Sequence, residues 1–346
     1  MNKSGIQPDR NKTLLLVEGK HEKSSLLRIL LKAFPKIPVR YENIIIHGAD
    51  IFDLYGAIEE EYGDEWYEDD LLEINIPYLI SRRLHITPML DRNSFTNIIM
   101  VFDYERQDPS FDFTKILRMQ KHFNNVSEDG VLYINYPMVE SYLDMSDIPC
   151  HYFMGNKIPV AGLSGNSYKK QVCATSVLLK YIKLYDRVGR DIDHKLPLLP
   201  FTARESLIDQ ILTIADDAAV EMCISRCLEQ HMISDENQVF LTKALAAKLK
   251  QYGFLKNTES YWQALRRMLF YMIVQNIRKA YLVQSSNQAD AVHNQLDYLY
   301  AQLDFSSILE NQNKASSDSE KGFIWILNTS VIFCAEYKFF WEISDL

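Results

Sequence analysis

Acidic side chains follow two apolar segments of the sequence, at positions from which their carboxylates could bind a ligand together. The run "KTLLLV" (12–17) is followed by Glu18, and "TNIIMVFDYE" (96–105) ends with Asp103 and Glu105. Short, nearly continuous apolar runs are typical of strands covered on both faces in a parallel sheet. Because ligands bind outside the carboxyl ends of such strands, we expect the three carboxylates to converge.

Converging carboxylates predict a site for a divalent metal ion. Asp103 and Glu105 are two residues apart, so on an extended strand both side chains would point to the same face. Crowded carboxylates repel one another at pH 7 unless a proton or a cation intervenes, and Mg²⁺ or Mn²⁺ is their natural partner. Taken singly, Glu18 could instead complement a helix macrodipole, and the Asp103–Glu105 pair could be the polar end of a strand at a turn.

Strand and helix patterns alternate through the first 150 residues. Further strands are predicted at "ENIIIHG" (42–48) and "VLYINY" (131–136), and helices at "KSSLLRILLKAF" (23–34) and "FTKILRMQKHF" (113–123). This alternation favours right-handed crossovers. We therefore predict an α/β fold with a mostly parallel sheet flanked by helices.

The chain divides into two predicted domains. A segment rich in Pro and Gly (146–170) interrupts all periodicity, so we expect a catalytic domain at 1–150 and a mainly helical domain at 165–346 that serves as an oligomerisation or partner interface. The first domain contains an insertion at about 49–95, whose block 59–73 has no Lys or Arg. That block predicts either a solvated, self-repelling surface or a contact for a basic partner.

Composition narrows the class of protein. The net charge of -9 over 346 residues argues against non-specific coating of nucleic acid, although a local basic groove can coexist with an acidic whole. The five cysteines show no paired spacing, which is typical of a reducing compartment and predicts a cytoplasmic protein. The one membrane candidate, 323–341, contains Asn328, Glu336 and Lys338, so we predict a buried terminal element and no membrane partner.

The segment "LLLVEGKHE" (14–22), followed at a distance by "IIMVFDYE" (98–105), resembles the TOPRIM domain over roughly residues 12–145. The family signature is a glutamate after the first strand and an acidic D-x-D pair after a later one. The resemblance implies that Glu18, Asp103 and Glu105 are catalytic metal ligands. Glu22 takes the place of an acid often seen four residues beyond the glutamate. The chain departs from the pattern at Glu105, where many members have aspartate.

Among TOPRIM proteins, the chain most resembles the stand-alone AriB effectors of the PARIS anti-phage systems. It has neither a C-x-x-C pair nor a G-x-x-x-x-G-K-[ST] motif, which disfavours primases and nucleases fused to an ATPase. The added resemblance lies in "YINYPMVESYLDM" (133–145) and "GFIWILNTSVIF" (322–333). It implies an endonuclease that cleaves tRNA and arrests translation after release from a separate ATPase resembling AriA. A TOPRIM nuclease acting on DNA and a non-catalytic docking module remain as alternatives.

Three further residues are candidates for this site. Glu140, in "PMVESY" (137–142), could extend the metal site or could be an ordinary acid at a helix start. Lys20 and Arg106 adjoin the acids in sequence and could neutralise phosphate charge in the transition state. Ion pairing on the surface is the alternative for both.

Two other segments predict contacts with partners. Lys169 and Lys170 sit beside Tyr168 in "GLSGNSYKK" (162–170), which reads as a flexible Gly-rich loop. They predict either a backbone and stacking contact for RNA or solvated linker lysines. The aromatic C-terminal residues around 339–341 predict core packing or a subunit interface, and we expect a homodimer in the active state.

Overall fold

The computed structural model describes residues 12–342, apart from residues 70, 163, 233–237, 257–258, 287–289 and 292–293. Its architecture is α/β, and helices flank a mostly parallel sheet, as the alternating patterns predict. The strands are β1 (Thr13–Val17), β2 (Ile44–Ile46), β3 (Asn97–Asp103), β4 (Asn124–Asn125), β5 (Gly130–Tyr136), β6 (Lys157–Pro159), β7 (Phe323–Trp325) and β8 (Leu327–Asn328).

The main sheet has the order β2-β1-β3-β5-β4. The strands β2, β1, β3 and β5 are parallel to one another, with Val17 opposite Val101 and Asp103 opposite Asn135. The short strands β4 and β8 both pair antiparallel with β5. Every residue of β1 and β5 is buried, which explains why these strands read as continuous apolar runs.

Helices account for most of the remaining regular structure. The helix after β1 begins with π-type turns at Glu22–Leu27 and continues as α1, which stops before Pro35. The helices are α1 (Arg28–Ala33), α2 (Ile51–Tyr62), α3 (Ile76–Arg83), α4 (Phe113–His122), α5 (Gly165–Thr175), α6 (Val177–Lys195), α7 (Phe201–Thr213), α8 (Asp217–Gln230), α9 (Gln238–Lys250), α10 (Tyr261–Ser285), α11 (Leu296–Ala301), α12 (Phe305–Ser316) and α13 (Lys338–Glu342).

The chain forms two compact units whose limits differ from the predicted domains. Unit 1 comprises Met1–Thr175 and Tyr271–Leu346, and unit 2 comprises Ser176–Phe270. The C-terminal segment belongs to unit 1 because β8 pairs with β5 and because Thr329 Oγ1 donates to the carbonyl of Ile134 at 2.7 Å. The mainly helical part expected at 165–346 therefore divides, and only its middle portion stands as a separate unit.

The apolar stretch at 323–341 is a buried terminal element, as predicted. It contributes β7, β8, a 3-10 helix at Ser330–Glu336 and α13 to unit 1. None of the helices in the described ranges combines the length and the apolar character that crossing a membrane requires.

Candidate metal centre

Acids follow the carboxyl ends of all four parallel strands. Glu18 directly follows β1 and Asp103 ends β3, whereas Asp50 and Glu140 lie in the turns after β2 and β5. The chain passes from β1 to β2 on one side and returns to β3 on the other, so the sheet order reverses between β1 and β3. Ligands of open α/β sheets bind at such a switch point. The sequence predicted the site at this end of the sheet.

A hydrogen bond joins two of the predicted ligands across this switch point. The backbone N–H of Asp103 donates to Oε2 of Glu18 at 3.0 Å. The main chain of Glu18 is fixed as well, because its N–H donates to the carbonyl of Val101 and its carbonyl accepts from Gly48. Asp103 is only 9% exposed, and its Oδ1 is buried without a hydrogen-bond partner in the described part of the chain. The fold thus places the Glu18 carboxylate against the main chain of Asp103, close enough to raise the pKa of Asp103 in addition to burial, and leaves acceptor capacity unused on Asp103.

Glu22 lies in the same region and turns its carboxylate back toward the strand end. Its Oε2 accepts the backbone N–H of Gly19 at 3.2 Å, and the side chain is buried. A Cβ at Gly19 would stand 3.2 Å from this oxygen, so glycine gives the carboxylate its room. Glu22 also opens the π-type turns, which occur frequently at functional sites. Glu22, which the resemblance offered as a further metal ligand, therefore lies beside the strand end that carries Glu18.

Glu140 occupies a buried 3-10 turn, Val139–Leu143, and carries the one close ion pair of the cluster within the described ranges. Its Oε1 lies 3.0 Å from Nζ of Lys169 and 3.9 Å from Nε2 of His21. Its Oε2 is buried and has no hydrogen-bond partner in the described residues. Of the two alternatives for Glu140, the position beside the other acids favours participation in the site.

The backbone conformation that places Glu105 near the cluster was not predicted from the sequence. Because β3 ends at Asp103, the expectation that Asp103 and Glu105 share one face of an extended strand was wrong. Glu105 has a φ of 38°, in the left-handed region that side chains rarely adopt, and its carbonyl accepts the N–H of Asp108 in a turn. Such backbone conformations concentrate at functional sites. Its half-buried carboxylate still lies close enough to raise the pKa of Glu18.

Asp50 is an acid of this region that sequence reasoning missed. Its side chain accepts the N–H of Asp53 at 2.9 Å and so caps α2. Burial raises the pKa values of Glu18 and Glu105, and the charge of Asp50 adds to both shifts. The segment "IIIHGAD" (44–50) shows an acid after the second predicted strand, but Asp50 fell within the insertion assigned to about 49–95.

The acids share an electrostatic cost that the described residues do not fully compensate. Burial raises the pKa of Glu18 to about 8, although the N–H of Asp103 opposes the rise, and Glu105, Glu22 and Asp50 add to it. Burial also raises the pKa of Asp103 well above its ordinary value, with Glu18, Glu22 and Glu140 contributing. Burial likewise raises the pKa of Glu22. Glu18 would therefore retain its proton at neutral pH unless a cation replaced it, and the shifts of Asp103 and Glu22 act in the same direction.

The donor set fits a hard divalent cation in its chemistry. Mg²⁺ prefers carboxylate oxygens and retained waters, and the buried oxygens without partners on Asp103 and Glu140 are acceptors of that type. However, within the described ranges, no three His, Cys, Asp or Glu side chains stand in a ready coordination group. Glu18 and Asp103 are the pair best placed to hold a cation, and further ligands would have to be water or rotated side chains.

The basic side chains predicted for the site differ in their exposure and in their contacts. Lys169 is paired with Glu140, and the carboxylates of Asp103 and Glu22 help to raise its pKa, although burial opposes that rise. Lys20 and Lys170 are exposed, and the guanidinium of Arg106 lies 4.7 Å from the centre of the Phe111 ring. Among the predicted cations, Lys169 is the one whose contact with an acid of the cluster is established.

The expectation of a flexible loop at 162–170 was wrong from Gly165 onward. Helix α5 begins at Gly165, and the N–H of Tyr168 donates to the carbonyl of Ser164. Tyr168 is buried and its hydroxyl donates to Oδ2 of Asp144 at 3.2 Å, so its ring is not available to stack on a base. Gly162 and Gly165 suggested flexibility, but the buried tyrosine anchors the helix instead.

The acidic block at 59–73 is partly integrated into the fold. Trp66 is 2% exposed and packs against Tyr55 and Phe123. Glu61 pairs with Arg82, and Glu59 lies 3.6 Å from Lys115. Asp70 lies outside the described residues. The block therefore combines an aromatic anchor with exposed acids rather than being solvated throughout.

Comparisons of this chain with family models, with curated proteins and with solved structures found no match.

Proposed function

We propose that this chain is a metal-dependent nuclease of the TOPRIM type that hydrolyses phosphodiester bonds with Mg²⁺ or Mn²⁺. The observation that carries the proposal is the contact between Glu18 and Asp103 at the switch point between β1 and β3. The order of the motifs and the buried, uncompensated carboxylates support it. By its resemblance to the AriB effectors, the proposed substrate is tRNA, and the proposed context is anti-phage defence with a separate ATPase resembling AriA.

In this proposal Glu18 and Asp103 hold the cation, with Glu105, Glu22 and Glu140 as supporting acids. A bound Mg²⁺ would polarise the scissile phosphate and stabilise the leaving oxygen. The backbone N–H of Asp103 orients the Glu18 carboxylate, and the turn at Glu105 brings a further negative charge to the strand end. Lys169 and Lys20 supply positive charge for the phosphate, Lys169 after exchange of its pair with Glu140.

The experiment is a cleavage assay with purified chain, Mg²⁺ or Mn²⁺, and labelled tRNA, unstructured RNA or DNA. We expect tRNA to be cut, with cleavage lost on chelation. The variant Glu18→Gln preserves the shape of the side chain but removes the charge, so the rate should fall about 100-fold or more. Glu42→Gln makes the same change at an exposed acid and should leave the rate unchanged.

Two outcomes would replace parts of the proposal. Cleavage retained in Glu18→Gln would contradict a metal site at this residue, whereas cleavage of DNA alone would retain the reaction and change the substrate.

The docking alternative draws support from the lack of a ready three-ligand group in the described ranges. It predicts no cleavage by the wild type, and loss of the ATPase complex in the double variant Asp64→Lys, Glu65→Lys, which reverses exposed charges of the acidic block.

A further inference from the structure

Unit 2 contains a groove whose lining is basic and aromatic. The cavity has a volume of about 390 Å³ and lies between the middle of α6 and the turn after α9. Its lining residues are Lys180, Tyr181, Lys183, Leu184, Arg187, Tyr252, Gly253 and Phe254. No acidic residue appears in this lining, and none of these residues belongs to the site proposed above.

The three cations of the groove are exposed and stand on one side of a single helix. Lys180, Lys183 and Arg187 are spaced three and four residues apart, so they lie along one face of α6. In the described part of the chain none of the three takes part in an ion pair, and Arg187 instead lies 5.2 Å from the centre of the Tyr252 ring. Their charge is therefore available to an external anion.

Asp191, the acid of α6 that contacts Tyr252 of the groove lining, is already neutralised by other partners. Asp191 accepts hydrogen bonds from Nζ of Lys248 and from the hydroxyl of Tyr252. Burial alone would raise the pKa of Asp191, but these two donors lower it overall. The same contacts tie the end of α9 to α6 and hold the Tyr252 ring at the groove wall. Gly253, with a φ of +79°, makes the turn that sets Phe254 into the floor.

The sequence also separates charge between the two units. Residues 176–270 contain thirteen Lys and Arg against twelve Asp and Glu, although the whole chain has 37 against 46. Unit 2 is thus about neutral within an acidic protein. A row of unpaired cations on a neutral unit attracts polyanions far better than it would on a unit that carried the chain's negative surplus.

We propose that the groove formed by α6 and the turn after α9 binds a single-stranded segment of RNA through its phosphates and one or two bases. The basic row supplies contacts to the sugar-phosphate backbone, and the half-buried rings of Tyr181 and Tyr252 supply walls for stacking. The choice of RNA over DNA rests on the proposed function, whereas the binding of a nucleic-acid strand does not.

The dimensions of the groove suit a short strand rather than a duplex. At 1.5 Å of rise per residue, Lys180 and Arg187 lie about 10 Å apart along the helix axis. That is the length of about three nucleotides in a stacked strand, at about 3.4 Å each. Aromatic walls contact bases only where these are unpaired, so loops and single-stranded ends fit the groove best.

Binding can be measured without cleavage by fluorescence anisotropy of a labelled single-stranded RNA in EDTA, using the full chain. The double variant Lys183→Ala, Arg187→Ala should weaken binding at least tenfold at low salt. It should also flatten the slope of log K against log salt by about 1.4, since each lost phosphate contact removes about 0.7 for a single strand. Tyr181→Leu should weaken binding several-fold, and Tyr181→Phe should restore it, because stacking needs only the ring.

The matched control removes the same charges elsewhere in unit 2. Arg226 and Lys243 are exposed on α8 and α9, outside the groove lining. The double variant Arg226→Ala, Lys243→Ala should retain affinity and slope. Thermal unfolding of every variant shows whether a loss of binding reflects a loss of fold, and a groove variant that unfolds is replaced by the single variant Lys183→Gln.

Three outcomes would overturn the proposal. Equal loss in the groove and control variants would show a general effect of charge, and unchanged binding in the groove variants would show that the groove is not the site. Groove-dependent binding to vesicles containing phosphatidylserine, without binding to RNA, would identify a membrane surface as the ligand. None of these results affects cleavage by Glu18 and Asp103, so the nuclease proposal is tested separately.

Discussion

The acid cluster of unit 1 and the groove of unit 2 differ in the sign of their charge and in how far that charge is buried. At the strand ends of unit 1, carboxylates are buried together, and Lys169 is the one cation with an established contact to them in the described ranges. In the groove of unit 2, cations are exposed, and Asp191, which contacts Tyr252 of the lining, is neutralised by Lys248 and Tyr252. Burial makes charge costly in the first region, whereas exposure makes it available in the second.

The difference in burial determines which kind of ligand each region favours. Buried like charges destabilise the folded state until a small ion or protons neutralise them, so the first region favours a compact divalent cation. Exposed cations cost little to maintain and gain energy by releasing counterions from a polyanion, so the second favours an extended strand. Changes in the acids should therefore alter stability and its pH dependence, and changes in the groove should mainly alter binding.

The largest stability effect should come from the acids in the absence of metal. Burial raises the pKa of Glu18 from 4.5 in the unfolded chain to about 8 in the folded protein. The folded state therefore keeps a proton that the unfolded state has lost, and the free energy of unfolding falls as pH rises through this interval. We expect a loss on the order of 5 kcal/mol, measured by urea denaturation in EDTA at a series of pH values.

The variant Glu18→Gln cannot ionise at this position, so its stability should fall less steeply with pH than that of the wild type. The fall that remains comes from Asp103 and Glu22, whose pKa values burial also raises. Above pH 8 the stability of the variant should exceed that of the wild type. Saturating Mg²⁺ should stabilise the wild type by about 2.7 kcal/mol at a concentration one hundred times its dissociation constant. It should stabilise the variant much less. A pH slope in Glu18→Gln as steep as that of the wild type, or a wild type indifferent to Mg²⁺, would contradict a cluster of buried acids that a divalent cation neutralises.

The sequence predicted the strand ends well because the signal there is local. Apolar runs identified β1 and β3, and the acids that follow them, Glu18 and Asp103, meet as expected. The prediction failed two residues after Asp103, where the chain has left the strand and Glu105 adopts a left-handed conformation. Turn geometry depends on contacts that an apolar pattern does not encode, such as the bond from Asp108 to the carbonyl of Glu105.

Non-local contacts account for the other differences. The pairing of β8 with β5 joins residues about 190 positions apart, and the sequence gives no period that would reveal it. Lys169 looked like a linker lysine because its partner, Glu140, is 29 positions away. The basic row of α6 is local and could have been recognised from its spacing, but Tyr252 joins it only through the fold.

A smaller effect should follow from removing the cation of the acid cluster. Lys169→Met leaves Glu140 buried without its ion pair, so the protein should lose about 1–2 kcal/mol at neutral pH, a value reduced by the half-exposed position of the lysine. The neighbouring Lys170 is exposed, and Lys170→Met should change stability by less than about 0.5 kcal/mol. Chemical denaturation of both variants measures the difference. Equal effects would mean that Lys169 does not compensate Glu140.

The smallest effect should come from the groove, where a change in stability can be separated from a change in binding. Tyr252→Phe removes the hydroxyl that donates to Oδ2 of Asp191 but keeps the ring beneath Arg187. Asp191 retains Lys248, so the loss should be about 1 kcal/mol in urea denaturation, and RNA affinity should change less than about twofold. Tyr181→Phe, whose hydroxyl makes no hydrogen bond in the described residues, should change neither quantity. A large loss of affinity in Tyr252→Phe with stability intact would show that the hydroxyl contacts the strand directly, and the groove would then use polar recognition in addition to charge and stacking.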